Sequence, residues 1–311
     1  MSLSPDMTVE IAGLKLRNPI IAASGTFGYG LEFSSLLDLN ELGGFVVKGL
    51  SREPMRGNPP PRLVETPSGM MNSVGLQNIG VDAFVRDKLP LLAKFKTAVI
   101  ANVFGSVAED YAAVVEKLET AQGLAAYELN LSCPNTKHGG ILFGSDPVQV
   151  EEITRTIKGI CRRPVFAKLS PNVADIAPFA KAAENGGADG ISLANTFVGM
   201  HMPSPAEKPK LPLDIGGLSG PAIHALAVRL VHRAASVVTI PVIGIGGIIC
   251  GADAAEFLRA GAAAVQVGTA NFYDPLATVR IIRELTDYCQ RTGIHRIRDL
   301  HPRVQQSVSN R

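Results

Sequence analysis

Eight short apolar runs alternate with longer amphipathic windows along this chain, and that alternation limits its fold more than any other feature. The runs are residues 20–23, 45–48, 98–103, 127–131, 165–169, 190–194, 242–245 and 264–267. Between most of them lie windows of helical length, such as 107–121, 147–161, 176–185 and 221–235. A last window, 275–290, begins on Pro275, where a helix tolerates proline. Strands separated by helices pair in parallel, and eight is the number that closes a barrel. The expected fold is therefore α/β, a (β/α)8 TIM barrel forming one domain over residues 1–311. An N-terminal β-hairpin is expected from 8–11 and 14–16 around Ala12-Gly13, and a short polar tail from about 291 to 311. A doubly wound open sheet is the competing architecture, but no G-x-G-x-x-G follows the first run.

Composition excludes several classes. The formal charge of +2 carries no basic stripe, so nucleic acid is not an expected partner. No uninterrupted apolar run approaches about 18 residues, so no membrane span is expected. The first ten residues lack a charged segment followed by an apolar core, which points to the cytoplasm. Cys133, Cys161, Cys250 and Cys289 are far apart and form no C-x-x-C pair. Neither a metal site nor an iron–sulfur cluster is expected within this chain.

Two connections are too long for plain strand-to-helix turns. Residues 51–80 follow the second run, and 196–220 follow the sixth. Both leave the C-terminal ends of strands, the face on which barrels place their chemistry, and loops of that length serve as lids or partner surfaces. The other strand ends on this face form a coherent set. Ser24 and Gly25 follow the first run, and Lys48 and Gly49 close the second. Asn102, Asn130 and Lys168 mark the third, fourth and fifth, and Asn195 and Thr196 the sixth. The last two runs end in Gly246-Gly247 and Gly268-Thr269, and in barrels that pair of loops is the usual phosphate site. Amides and strand-end lysines suit a heteroaromatic ligand rich in C=O and N–H groups. Either glycine pair alone also fits a tight turn, and either lysine could hold its head in solvent.

The stretch Asn130-Leu131-Ser132-Cys133-Pro134-Asn135 lies where the fourth run stops. A cysteine there is either a packed structural thiol or a general base, since a thiol ionises nearer neutrality than a hydroxyl. Gly139-Gly140 would let the following loop close over a substrate.

These pieces resemble the dihydroorotate dehydrogenases. The resemblance runs from Asn18-Pro19 to Tyr273-Asp274-Pro275 and rests on Ala23-Ser24-Gly25, Val47-Lys48-Gly49 and Asn72-Ser73-Val74-Gly75-Leu76. It rests also on the Cys133 motif, Ala194-Asn195-Thr196, Gly217-Leu218-Ser219-Gly220-Pro221, Ile245-Gly246-Gly247-Ile248 and Val267-Gly268-Thr269. It implies oxidation of (S)-dihydroorotate to orotate in pyrimidine biosynthesis, with FMN as cofactor and Cys133 as the base. The implied FMN contacts are Ser24, Lys48, Gly49, Asn102, Asn130, Lys168, Ala194, Gly220, Gly246, Gly247, Gly268 and Thr269. The implied substrate contacts are Lys48, Asn72, Ser73, Val74, Gly75, Leu76, Asn130, Asn195 and Thr196. Cys133 in place of serine departs from the quinone-using class. The runs 72–78 and 133–140 look like class 1B, whose members use a second subunit carrying FAD and a [2Fe–2S] cluster to reach NAD⁺. A homodimer core within a heterotetramer is implied with it. A fumarate-using class 1A enzyme and a related FMN-barrel pyrimidine reductase stay open as alternatives.

Overall fold

The computed structural model describes residues 4–132, 145–202 and 210–302. Cys133, Gly139-Gly140 and residues 303–311 of the expected tail lie outside the described residues.

The hairpin comes first, as β1 (Val9–Ile11) and β2 (Leu14–Leu16), paired antiparallel. Ala12 and Gly13 between them take φ of 50° and 78°, the two positive values a two-residue primed turn requires. Then come β3 (Ile20–Ala22), β4 (Gly44–Val46), β5 (Leu63–Thr66), β6 (Gly69–Asn72), β7 (Ala98–Val103) and β8 (Ala126–Asn130). The remaining strands are β9 (Val165–Lys168), β10 (Gly190–Leu193), β11 (Phe197–Met200), β12 (Ile215–Ser219), β13 (Val242–Ile245) and β14 (Ala262–Val267). Eight of them form a closed barrel in the order β3-β4-β7-β8-β9-β10-β13-β14, each paired in parallel with the next and β14 with β3. The eight expected runs match these strands to within a residue or two at most ends.

The helices are α1 (Val81–Ala83), α2 (Leu89–Leu92), α3 (Ala108–Glu119), α4 (Pro147–Ile160) and α5 (Ala177–Asn185). They continue as α6 (His224–Ala235), α7 (Gly251–Ala260), α8 (Ala270–Tyr273) and α9 (Ala277–Thr292). The Asp146 side chain accepts the Val148 N–H at 2.9 Å and caps α4, with Pro147 at its first position. Gly261 and Gly293, at φ of 111° and 71°, end α7 and α9 in the left-handed conformation that glycine adopts without strain. The segment after α9 is more ordered than its polarity suggests. Ile297 and Leu300 are buried, and Asp6 O accepts the Ile297 N–H at 2.8 Å. Ile294, Ile297 and Leu300 recur at a spacing of three, which puts them on one side of a short turn.

Successive strand residues point alternately into the barrel and outward to the helices. The lower interior is apolar: Ile21, Val46, Ile100, Ala126, Phe166, Ile243 and Ala264 pack together, with Ile11 and Leu16 of the hairpin against them. A Cβ on Gly190 would lie 2.7 Å from the Phe166 ring, so glycine there makes room for the aromatic side chain. The next inward positions, towards the C-terminal ends, are polar: Asn102, Glu128, Lys168, Ser192 and Gln266, all buried.

The two long connections form a second sheet. Strands β5 and β6 of the first pair with β12 and β11 of the second, all antiparallel, in the order β11-β12-β6-β5. The two connections, expected as lids or partner surfaces, are joined in this one sheet.

Glu184 ties α5 to the segment entering β13. Its Oε1 accepts from Thr239 N at 2.6 Å and Thr239 Oγ1 at 2.7 Å, and its Oε2 from Lys181 Nζ at 2.9 Å. Desolvation pushes the carboxyl up, but these hydrogen bonds and the Lys181 charge outweigh it and hold it at about 2. A depressed folded pKa gives stability that is full above the ordinary carboxyl value and fades as pH falls towards 2. Glu184→Gln should cost about 1–2 kcal/mol at pH 7. Paired thermal unfolding of the two chains should show that gap narrowing steadily below about pH 4.5; a gap of constant size would remove the carboxylate from the explanation.

Candidate active site

Parallel closure brings all eight C-terminal strand ends to one mouth, and most of the expected side chains meet there. Ser24 Oγ donates to Val47 O at 2.8 Å, which links the first strand end to the second. Lys48 is largely buried, and burial first, then the Arg62 charge, pushes its ammonium below the usual lysine value. No carboxylate among the described residues pairs with it. Its Nζ lies 4.0 Å from where a Cβ on Gly25 would stand, so that glycine leaves space beside the cation. A side chain on Gly49 would collide with Asn102 Oδ1 at 2.8 Å.

Asn130, Ser132 and Asn195 form one amide–hydroxyl cluster. Ser132 Oγ donates to Asn130 Oδ1 at 2.7 Å, Asn195 Nδ2 approaches the same oxygen at 3.3 Å, and Asn195 Nδ2 also contacts Ser132 Oγ. Tyr111 on α3 donates to Asn130 O at 2.8 Å and fixes the strand end from behind. Asn195 Oδ1 accepts Thr196 N at 2.8 Å, and Asn172 Nδ2 donates to Thr196 O at 3.1 Å. Ser132 and Asn172 were not among the expected site residues. Ser132 lies inside the quoted motif beside two residues that were, and that adjacency was its only signal.

The antiparallel sheet brings Asn72 to the same side. Asn72 Nδ2 donates to Gly217 O at 3.2 Å, and a Cβ on Gly217 would strike Thr196 Oγ1, so Asn72 and Thr196 flank one glycine. Ser73 has a different part. Its N–H is spent on Arg62 O at 2.8 Å, and Asn58 Nδ2 donates to both its O and its Oγ at 3.0 Å. Val74 O accepts the Asn58 N–H at 3.0 Å, and Gly75 and Leu76 turn the chain with φ of 70° and 58°. This run shapes the loop edge, with Asn58 and Arg62 as its clasp.

At the mouth's inner wall, Glu128 Oε1 accepts from Asn102 Nδ2 at 2.8 Å and faces Lys168 Nζ at 3.3 Å. Its Oε2 accepts from Gln266 Nε2 at 2.6 Å. Complete burial pushes the Glu128 carboxyl up, but Lys168 and the bonds from Gln266, Ser192 and Asn102 outweigh it, and the net direction is down. Glu128, Ser192 and Gln266 were also missed, although the strand alternation that places Asn102 and Lys168 inward places them inward too.

The glycines after β13 and β14 converge with Gly220. A Cβ on Gly247 would lie 2.9 Å from Gly220 O, and one on Gly220 would lie 3.5 Å from Thr269 Cγ2. Thr269 Oγ1 donates to Ser219 Oγ at 2.8 Å, and His224 Nδ1 lies 3.3 Å from Gly247 O. The backbone N–H groups of Gly247, Gly268 and Thr269 have no acceptor among the described residues. A Cβ on Gly268 would sit in ordinary contact with Ala23 Cβ at 3.6 Å and Thr26 Cγ2 at 3.9 Å, so the fold leaves room for one there. Backbone amides left without an acceptor at two neighbouring glycine loops suit a phosphate group. The residues present therefore fit the phosphate end of FMN. Lys168 and the amides fit a polar ring. Ala194 closes this ring of strand ends, its N–H donating to Ile245 O at 3.0 Å. Among the described residues no group of His, Cys, Asp or Glu is placed to hold a metal ion, and no helix is long and apolar enough to cross a membrane.

The family model described as dihydroorotate dehydrogenase matches residues 6–289. A protein of Solibacter usitatus, provisionally named dihydroorotate dehydrogenase A (fumarate), is 56% identical over 96% of this chain and 98% of its own. The dihydroorotate dehydrogenase B (NAD(+)) catalytic subunit of Citrifermentans bemidjiense is 52% identical over 91% of this chain and 93% of its own. That of Geobacter sp. strain M21 is 50% identical, over 95% and 97%.

Gly268 tests the phosphate cradle. Its φ lies outside the left-handed region and a Cβ would stand 3.6 Å from Ala23 Cβ, so a methyl group can be added without breaking the turn. Gly268→Ala should weaken FMN binding at least about tenfold, an effect of about 1.4 kcal/mol, read by flavin fluorescence titration of the flavin-free chain. Unchanged affinity in a folded variant would place the phosphate elsewhere.

Proposed function

The chain belongs to the dihydroorotate dehydrogenase family, and from that premise we propose that it oxidises (S)-dihydroorotate to orotate as an FMN-containing catalytic subunit linked to NAD⁺. The observation that carries this reading is the set of three amides at Gly247, Gly268 and Thr269 with no acceptor among the described residues, at the same mouth as Lys48, Lys168 and the Asn130–Asn195 cluster. Residues 1–311 act as one FMN-binding unit in the cytoplasm.

Bound at this mouth, FMN supplies the acceptor for the hydride that leaves C6 of the substrate. The chain's own residues do the rest. Gly220, Gly246, Gly247, Gly268 and Thr269 hold the phosphate. Ser24, Gly49, Asn102 and Ala194 border the ribityl chain and ring, and Lys168 stands ready for negative charge at the ring's pyrimidine end. Lys48, with no carboxylate partner among the described residues, pairs with the carboxylate of dihydroorotate. Asn72, Asn130, Asn195 and Thr196 fix the substrate's amide edge, with the 73–76 turn as the rim. Cys133 follows directly on Ser132 in the chain and takes the proton from C5. Loss of that proton and of the C6 hydride leaves the C5=C6 double bond of orotate.

The electrons then leave through a partner subunit with FAD and a [2Fe–2S] cluster, and two copies of this chain form the core of that assembly. The words "catalytic subunit" in the names of the Citrifermentans and Geobacter relatives support a partner. A second reading has one specific support: the 56% identical Solibacter relative carries a name that gives fumarate as acceptor. In that case the chain works without the electron-transfer subunit.

Anaerobic mixing with L-dihydroorotate should bleach the flavin absorbance within the turnover time. Cys133→Ala should keep its FMN and bleach about 100-fold more slowly or worse; a near-normal rate would take Cys133 out of the mechanism. Fumarate added to the bleached chain alone should leave it bleached. Rapid return of the yellow colour would establish the fumarate reading.

A further inference from the structure

Among the described residues, Glu128 and Lys168 are the only charged residues less than about a tenth exposed, at 1% and 6%. Burying such a pair costs desolvation on both sides, and well-packed apolar residues hold a barrel at least as well. The interior layer below is apolar throughout, so packing alone does not explain a carboxylate here. The surrounding hydrogen bonds are organised around it. Asn102, Gln266 and Lys168 all present N–H groups to Glu128, while Gln266 Nε2 also lies 3.3 Å from Ser192 Oγ. Gln266 Oε1 is left buried with no partner, so the orientation of this amide serves the carboxylate at the expense of its own acceptor. Lys168 has three donors, and Glu128 occupies one.

We propose that Glu128 is a positioning residue: it keeps Lys168 protonated and aimed into the mouth, so that the cation is in place when the flavin takes up negative charge. The proposal rests on the FMN reading given above. The ionisable groups of this layer among the described residues are Glu128 on β8 and Lys168 on β9. Strands β7, β10 and β14 add the neutral Asn102, Ser192 and Gln266, while Ile21, Val46 and Ile243 of β3, β4 and β13 belong to the apolar layer below. Lys48 at the end of β4, with Arg62 near it, is the other cation of the mouth. Without Glu128, a buried ammonium has no counter-charge and gives up its proton more readily. The pH dependence expected of Glu128→Gln follows from that loss of counter-charge.

The test is the midpoint potential of bound FMN, by equilibration with a reference dye, for the parent, Glu128→Gln, Lys168→Met and the double variant between pH 6 and 9. Relative to the parent, Glu128→Gln should disfavour reduced FMN at least tenfold more at pH 9 than at pH 6, about 30 mV for a two-electron couple. Lys168→Met should be offset from the parent by an amount that does not change with pH, and the double variant should follow it. A Glu128→Gln curve parallel to the parent's overturns the proposal. A parent chain that takes up no flavin overturns the FMN reading first, and this one with it. Should Glu128→Gln not retain FMN, thermal unfolding of the flavin-free chains reads the same pair. A buried lysine with a lowered folded pKa binds fewer protons folded than unfolded, so the variant's deficit should grow as pH falls from 9 to 6. A deficit independent of pH in that experiment also overturns the proposal.

Discussion

The pairing of β14 with β3 is the contact on which the rest depends. Val265, Gln266 and Val267 lie against Ile20, Ile21 and Ala22 in parallel register, and with that join the sheet has no free edge. Closure turns a list of strand ends into a ring. Lys48, Asn102, Asn130, Lys168, Asn195 and Gly268 are dispersed over two-thirds of the sequence, and they meet because their strands run the same way. Closure also sorts the interior by height. The apolar floor of Ile21, Val46, Ile100, Phe166 and Ile243 contributes about 1.5–3 kcal/mol for each large side chain withdrawn from water. That floor stabilises a barrel whose upper layer is costly, because Glu128 and Lys168 gain little beyond offsetting their own desolvation.

The roof is coupled to the barrel through backbone pairing across long sequence separations. Gly217, Leu218 and Ser219 of β12 pair with Asn72, Met71 and Met70 of β6, so neither excursion completes its hydrogen bonding alone. Asn72 and Thr196 meet around Gly217 only when both are folded. Ser219 then connects the roof to the glycine loops, donating to Met70 O at 3.4 Å and accepting from Thr269 Oγ1 at 2.8 Å. The face that would meet a substrate and the cradle that would hold a phosphate are thus one hydrogen-bonded unit, and a disturbance of either is felt by the other.

The barrel was legible because each strand announces itself locally: β-branched and apolar runs of four to six residues with helical windows between them. The hairpin was legible from Ala12-Gly13. Helix α7, from Gly251 to Ala260, was not singled out among the helical windows. The roof was not legible at all. Leu63–Thr66 reads as a loop fragment until Gly69–Asn72 is placed beside it, and the partner that makes sense of both lies about 145 residues further on. In the site, the strand-end lysines and asparagines stood out against apolar neighbours. Glu128, Ser192 and Gln266 did not, because each is the middle residue of its local pattern. The inward alternation Ile100/Asn102, Ala126/Glu128, Phe166/Lys168 and Ala264/Gln266 becomes visible only once the strands are aligned to a common height. Ser73 shows the converse: its place in a recognisable motif suggests a ligand contact, while its N–H goes to Arg62 O and its Oγ accepts from Asn58, so it also helps to clasp the loop.

The glycines of the mouth separate two kinds of information that a sequence presents identically. Gly246 and Gly247 adopt φ of 136° and 68°, and a Cβ on either would stand within 3.0 Å of Ala227, His224 or the Gly220 carbonyl. Any chain making this turn between β13 and α7 needs glycine there, whether or not it binds anything, so these two residues alone say little about a ligand. Gly268 differs. Its φ is outside the left-handed region and nothing crowds the position of a Cβ, so the fold itself would accept alanine. An alanine there would add only ordinary contacts with Ala23 and Thr26. The turn therefore explains Gly246 and Gly247, but not Gly268, which stands beside amides that no described residue accepts. Gly268, the least constrained glycine of the set, is the one whose replacement separates the needs of the fold from the needs of a ligand.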